Sequence, residues 1–178
     1  MSGIFYARKG SGGLLELAAK YETALQIKFA DAFMDEKNKF YFTDGYTDKY
    51  KAANSTWGLH EFVSVNGESI LGYIAYSVNR RTNSVSSLCA INFGSKSITF
   101  SKDFMQALKD IFEKYHFRKL NFGVHVGNPA EKMYDRYIRK FGGRVVGTYE
   151  ADTMLSDGKY YDYKVYEIFQ TDYLKHKV

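Results

Sequence analysis

The chain has 178 residues, 45% of them hydrophobic, with 25 basic against 20 acidic residues and a formal net charge of +5. That length suits one domain with a sizeable core, and the apolar fraction excludes a disordered chain. The one cysteine, Cys89, excludes an internal disulfide. No run approaches the length of a membrane span, and no signal sequence is visible at the start, so a reducing cytoplasm is the expected setting.

Residues 4–8 are short and β-prone and predict a first strand. Gly10, Ser11, Gly12 and Gly13 form a connector; the Lys-Ser/Thr pair of a phosphate loop does not follow them. Leu14, Leu17, Ala18, Tyr21, Leu25 and Phe29 recur at helical spacing and predict a helix over 14–33. Residues 35–55 are polar and aromatic, with turn chemistry at Asp44-Gly45, and read as a cleft-lining loop with one helical turn. Alternation over 59–65, the hairpin pair Asn66-Gly67 and a return over 70–78 predict two antiparallel strands. A turn over 79–83 leads to a strand over 85–93 and a loop over 94–100.

Ser101 is placed to cap a helix with apolar positions at Phe104, Met105, Leu108, Ile111, Phe112 and Tyr115. Asp103 near its start and Lys114 and His116 at its end carry the signs that suit the helix dipole. A strand over 120–126 runs into a further helix, with Asn128 as cap and Pro129 at the first helical position. Its apolar stripe is Ala130, Met133, Tyr134, Tyr137, Ile138 and Phe141; Lys132, Arg136, Arg139 and Lys140 form a basic stripe, and Gly142-Gly143 is the stop. Strands over 145–149 and 160–169, joined by a turn at 156–158, precede a polar tail over 171–178. The order predicts an α+β fold: one mixed, mostly antiparallel sheet with helices on both faces. Strand 120–126 should run parallel to strand 85–93, because a long, helix-containing connection joins them.

This order, with Asn128-Pro129-Ala130, Tyr134 one turn on and Gly142-Gly143 after it, resembles the GCN5-related N-acetyltransferases, the GNAT superfamily, most clearly over 70–168. Residues 157–168 look like the last strand of its ribosomal-protein acetyltransferase-like branch. The resemblance implies a single acetyltransferase-like domain over 1–178 and acetyl-CoA as cosubstrate, lying where the fourth and fifth strands splay apart. It implies a backbone N–H near Ile91 or Asn92 that polarises the thioester carbonyl. The pyrophosphate is expected over Lys96, Ser97, Thr99 and Ser101, at a helix N-terminus. Thr99 and Ser101 stand where the family has glycine and glycine or alanine, and a Cβ limits how closely a phosphate approaches. The same stretch also reads as an ordinary strand-to-helix loop. Asn128 is implied to bond the pantetheine arm, or only to cap.

Tyr134 matches the family tyrosine that protonates the leaving thiolate. It also fits plain packing in the apolar stripe, and Tyr137 is the alternative, because the helix exceeds the family's spacing. A base must neutralise the attacking amine, and strand 85–93 holds no acid. Glu61 and His125 are the nearest alternatives; Glu61 also reads as a solvated strand residue and His125 as a half-buried strand histidine, and Asp162 and Glu167 lie further off. Cys89 reads as a small core residue, and the four histidines have no metal-ligand spacing, so no metal is expected.

Two functions remain open. The first is an acetyl-CoA-dependent N-acetyltransferase acting by direct attack in a ternary complex on a small-molecule or protein amine, with residues 40–57 and the last hairpin shaping the acceptor pocket. The second is an inactive module of the same fold that binds an acidic partner through the basic stripe. Glu131 and Asp135 interleave with that stripe, which favours a solvated helix face. Neither a membrane nor a nucleic-acid partner is expected; an oligomer is left open.

Overall fold

A computed structural model describes residues 14–41, 50–53, 55–94 and 97–177. The strand expected at 4–8, the glycine connector, the Asp44-Gly45 turn and Lys96 lie outside the described residues. The elements are β1 (Leu14–Leu17), a 3₁₀ turn (Ala18–Tyr21), α1 (Glu22–Phe33), a second 3₁₀ turn (Glu36–Asn38), β2 (Leu59–Asn66), β3 (Ser69–Asn79) and β4 (Ser84–Asn92). They continue with α2 (Ile98–Glu113), β5 (Lys119–His125), α3 (Glu131–Lys140), β6 (Arg144–Met154), β7 (Tyr160–Phe169) and α4 (Gln170–His176). One sheet runs β1-β2-β3-β4-β5-β7-β6. Every neighbouring pair is antiparallel except β4 and β5, which are parallel as the long connection requires. No helix among the described residues is long and apolar enough to cross a membrane.

Three sequence expectations need correction. The helix expected over 14–33 starts only at Glu22. Leu14–Leu17 instead pair with Phe62–Val65 and cover the edge of β2, a tertiary demand that overrides helical spacing. The second helix is capped by Ser97 rather than Ser101: Ser97 Oγ accepts from Phe100 N–H at 3.1 Å, while Ser101 Oγ donates back to Ser97 O at 3.0 Å. The polar tail is largely α4, because Tyr173 stacks on Phe112 at 4.7 Å and on Phe141 at 4.9 Å.

The sheet has two packed faces. On one, Leu25 and Phe29 of α1 cover Val63, Tyr73, Ala75 and Ile91. On the other, Phe104, Leu108 and Ile111 of α2 and Tyr134 and Ile138 of α3 cover Ile74, Leu120, Phe122 and Tyr166. Gly72 of β3 lets α2 seat closely: a Cβ there would overlap the Phe100 ring and the Ile91 carbonyl. That close seat is also why the helix begins early enough to include Phe100.

A local irregularity in β4 shapes the rest. Ala75 faces Cys89 and Ser77 faces Ser86; between these pairs β3 supplies Tyr76 and β4 supplies both Ser87 and Leu88. Ser87 takes φ 52°, a β-bulge conformation. β4 and β5 pair only at Ser84–Lys119 and Val85–Leu120, just before the bulge, and part beyond it.

Gly72→Ala should force Phe100 off its seat. Overpacking of this kind costs about 1–3 kcal/mol, which in a chain of this size lowers Tm by about 2–12 °C. Scanning calorimetry reads the shift, and an unchanged Tm would contradict the close seat.

Candidate active site

The parting of β4 and β5 leaves a gap. Phe93 N–H donates to Leu71 O on β3 at 3.0 Å. Strand alternation then turns the Ile91 N–H toward β3 and those of Ala90 and Asn92 toward the gap. Of the two sites expected for carbonyl polarisation, Asn92 therefore faces the gap through its N–H and Ile91 does not. Ile91 instead buries its side chain in the α1-side core.

The gap leads to the N-terminus of α2. The cap and first turn engage the N–H groups of Phe100 and Ser101. Those of Ile98 and Thr99 have no acceptor among the described residues and form the open, partly positive end of a 16-residue helix. Thr99 is helical, with no positive φ, so the glycine replaced in the family pattern is not needed for backbone shape. A groove of about 690 Å³ runs from Ser97 and Ile98 along Lys102, Met105 and Lys109 to Phe141. Lys102 has no carboxylate partner among the described residues.

Helix α3 is entered through a polar turn. Asn128 is buried, its Oδ1 accepts from Ala130 N–H at 2.9 Å, and Glu131 Oε2 accepts from Gly127 N–H at 3.1 Å. Asn128 thus closes the turn ahead of the helix, which starts at Glu131 with Ala130 as its N-cap and no side-chain cap, so Asn128 and Pro129 do not take the cap and first helical positions expected for them. Lys164 of β7 then clamps the helix, its Nζ lying 3.2 Å from Glu131 Oε1 and 2.8 Å from Asp135 Oδ1. Tyr166 OH donates to Asp135 Oδ1 at 2.8 Å. Glu131 and Asp135 are therefore engaged by the sheet rather than by the basic stripe, which is exposed.

The clamp sets the rotation of the two α3 tyrosines. Tyr134 is buried, with its ring edge-on to Phe122 at 5.0 Å in the α2-side core. Burial, followed by the proximity of Cys89, Tyr41, Tyr163 and Tyr166, raises its pKa well above the ordinary phenol value. Cys89 and Tyr41 pack with the α1-side core. Tyr134 thus packs in one core and lies within electrostatic reach of groups that pack with the other. Tyr137 packs on Phe141 at 4.8 Å, and its buried hydroxyl has no hydrogen-bond partner. Its electrostatic neighbours are Tyr173 and Glu113, away from the gap.

Tyr163, on the last hairpin, lies on the α1 side; the hairpin was expected to shape a pocket, but this residue was not singled out. Tyr163 lies across β5 because Gly123 there has no side chain; a Cβ would overlap the Tyr163 ring. The readable signal was a glycine inside a strand. His125 is buried against Tyr163, with ring centroids 5.1 Å apart. Glu61 is buried too, contrary to its reading as a solvated strand residue. It accepts from Tyr73 OH at 2.6 Å, Tyr50 OH at 3.1 Å and Ala53 N–H at 2.7 Å. Asp162 Oδ1 accepts from Ala151 N–H at 2.9 Å. Glu167 bonds Arg144 at 2.6 Å and Lys119 at 3.1 Å, at the end where β4 and β5 still pair.

This sheet order, with one parallel pair that parts after two residues, can be compared with known proteins. The spermidine N-acetyltransferase of Vibrio cholerae, solved with CoA and spermine, superposes with a TM-score of 0.71 at 17% identity, over 93% of this chain and 99% of that one. A GCN5-related N-acetyltransferase of Brucella melitensis superposes with a TM-score of 0.62 at 14% identity, over 95% of this chain and 80% of that one. The chain has the GNAT fold. No protein-family model matches the sequence, and no curated protein matches it. In GNAT-fold terms, β4 and β5 are the splayed pair and α2 follows the fourth strand.

Burial pushes the Cys89 thiol up to about 12. Near neutral pH its thiolate fraction is then about 10³-fold below that of a free cysteine. Disulfide-exchange labelling of the folded chain should be slower than that of the unfolded chain by about this factor. Equal rates would show that the gap is open to solvent at Cys89.

Proposed function

We propose that the chain is an acetyl-CoA-dependent N-acetyltransferase in which the amine attacks the thioester directly in a ternary complex. The observation that carries this reading is the parallel pair β4–β5 that parts after two residues; Tyr134, within electrostatic reach of groups on both faces of the sheet, is the phenol we assign to the gap. An open strand edge suits an extended arm that carries amide groups. The N–H groups of Ala90 and Asn92 are the donors for the pantetheine arm and the thioester carbonyl, a donor arrangement that stabilises a developing oxyanion. Ser97, Ile98, Thr99 and Ser101 at the α2 N-terminus receive the pyrophosphate. Lys102 adds a cation beside it, as Lys96 does on the sequence reading. Asn128 holds the turn next to the arm. The resemblance of residues 157–168 to the last strand of the ribosomal-protein acetyltransferase-like branch is the ground for assigning the chain to that branch.

Tyr134 gives its proton to the thiolate as the C–S bond breaks. A phenol with a raised pKa stays protonated at neutral pH and is ready for that step. Glu61 and His125, both buried on the α1 side, are the groups to relieve the amine of its proton. Cys89 takes no acyl group, because its thiol, pushed up to about 12, stays protonated. The acceptor is a small-molecule or protein amine. The Vibrio cholerae enzyme solved with spermine makes polyamines the first acceptors to test.

Acetyl-CoA should raise Tm, since a ligand that binds only the folded state stabilises it. Tyr134→Phe should keep that shift and lower kcat by ~10² to 10⁴-fold, while Tyr137→Phe stays near the parent. No thermal shift at saturating acetyl-CoA, or a Tyr134→Phe variant as fast as the parent, would count against the assignment.

A further inference from the structure

The two halves of the sheet, β1-β2-β3-β4 and β5-β7-β6, pair with each other only at Ser84–Lys119 and Val85–Leu120 among the described residues. Residues 36–41, which follow α1, touch both halves. On the first half, buried Asn38 donates from Nδ2 to Ala32 O of α1 at 2.9 Å, and Tyr41 packs against the core that α1 forms over β2, β3 and β4. On the second half, the Phe40 ring meets Tyr161 of β7 edge-on, with centroids 5.5 Å apart. Phe40 also reaches the turn past the end of β5: a Cβ on Gly127 would lie 3.9 Å from Phe40 Cζ. Tyr161 lies two residues past Tyr163, the partner of His125 at the end of β5. The segment therefore crosses where β4 and β5 have already parted.

Lys39 fastens the crossing to the second half. Its Nζ lies 2.7 Å from Asp157 Oδ2, in the turn between β6 and β7, and 2.7 Å from the Tyr161 hydroxyl oxygen. The Tyr161 hydroxyl donates to the same Asp157 Oδ2 at 2.7 Å, and Asp157 Oδ1 accepts from Lys159 N–H at 3.1 Å. The carboxylate is thus oriented by its own hairpin, ready for a cation. The ammonium also stands over the Tyr161 and Phe40 rings, 5.0 and 5.2 Å from their centroids. Lys39 first, and then Tyr161, hold the Asp157 carboxyl well below the usual carboxylate range.

We infer that Lys39 and Asp157 are positioning residues: they clasp residues 36–41 across the parted end of β4 and β5 and so hold the α1-side wall of the acceptor pocket. This deepens the acetyltransfer reading, which brings the amine to that side, and rests on it. The near end of the segment is built into the α1 layer by Asn38 and Tyr41. Without the clasp, the far end keeps the Phe40 ring contact. A single 3₁₀ turn does not hold its shape alone, so freeing the far end loosens the whole segment. The donors assigned to acetyl-CoA belong to β4 and α2, not to this segment, so the clasp acts on the amine and not on the cosubstrate.

The test compares the parent with Lys39→Met, Asp157→Asn and Lys39→Arg. Amide exchange is read at Asn38 and Tyr41, whose N–H groups donate within the segment to Asp35 O at 2.8 Å and Asn38 O at 2.9 Å. Lys39→Met removes an ion pair and a cation–π contact, so exchange there should quicken ~3- to 30-fold. Asp157→Asn should move it the same way by less, and Lys39→Arg, which still pairs with Asp157, should restore the parental rate. Amides of β2 and β3 should not change; a general loss of stability would quicken them as well, and that result overturns a local clasp. At saturating acetyl-CoA, KM for spermine and for n-propylamine should rise ~3-fold or more in Lys39→Met, because only the clasped fraction binds the amine. The acetyl-CoA-induced rise in Tm should match the parent's. Unchanged exchange in both Lys39→Met and Asp157→Asn overturns the clasp, and quickened exchange with an unchanged KM overturns the positioning role. A parent with no acetyl-CoA-induced rise in Tm overturns the acetyltransfer reading and the positioning role with it, while the exchange comparison still decides the clasp.

Discussion

At Ser87 the β4 backbone takes φ 52°, and the residue inserted there ends the pairing of β4 with β5 after Val85–Leu120. Parallel strands in good register would otherwise continue to bond along their length, and β5 would consume the N–H groups that β4 now turns toward the gap. A strand edge turned toward a gap suits an extended ligand with its own amides. The positions of α2 and α3 follow from the same feature. Each helix connects to one of the two diverging strands, so their N-terminal ends flank the opening.

Aromatic side chains pack on both faces of the sheet: Phe122, Tyr134 and Tyr166 on the α2 side, and Phe29, Tyr50 and Tyr73 on the α1 side. Phenols serve here because the ring can be buried while the hydroxyl still handles a proton or a hydrogen bond. The energetic burden falls on polar groups that are buried yet satisfied: Glu61 by two phenols and a backbone N–H, and Asp135 by Lys164 and Tyr166. Tyr137 departs from this pattern, its hydroxyl buried without a partner. A phenylalanine there would lose no hydrogen bond, so its substitution serves as a control for Tyr134.

Much of this was legible from residues alone, where local and global demands agree. The Asn66-Gly67 hairpin, the strand over 160–169 and the helix after Asn128-Pro129 follow local turn and spacing chemistry, although that helix starts two residues later than expected, with Ala130 as its N-cap. Other features were decided by contacts distant in sequence. Ser97 and Ser101 are both competent caps, and only Phe100 seating against Gly72 selects the first. Tyr173 is one aromatic in a polar stretch, and Phe112 and Phe141 turn that stretch into a helix. Helical spacing puts Tyr134 and Tyr137 on one stripe; the Lys164 clamp that holds α3 on the sheet joins residues distant in sequence. Glu61 looked solvated because its donors come from Tyr50, Ala53 and Tyr73, on segments that meet only in the folded chain.

The central claim is that the open edge of β4 and the free end of α2 together receive acetyl-CoA. Amide hydrogen exchange with and without CoA tests it residue by residue. Binding as described here should slow exchange at Ala90 and Asn92 on β4 and at Ile98 and Thr99 on α2. Exchange in β1 and β6, at the two edges of the sheet, should not change. Protection confined to other elements, or none at saturating CoA, would contradict the account.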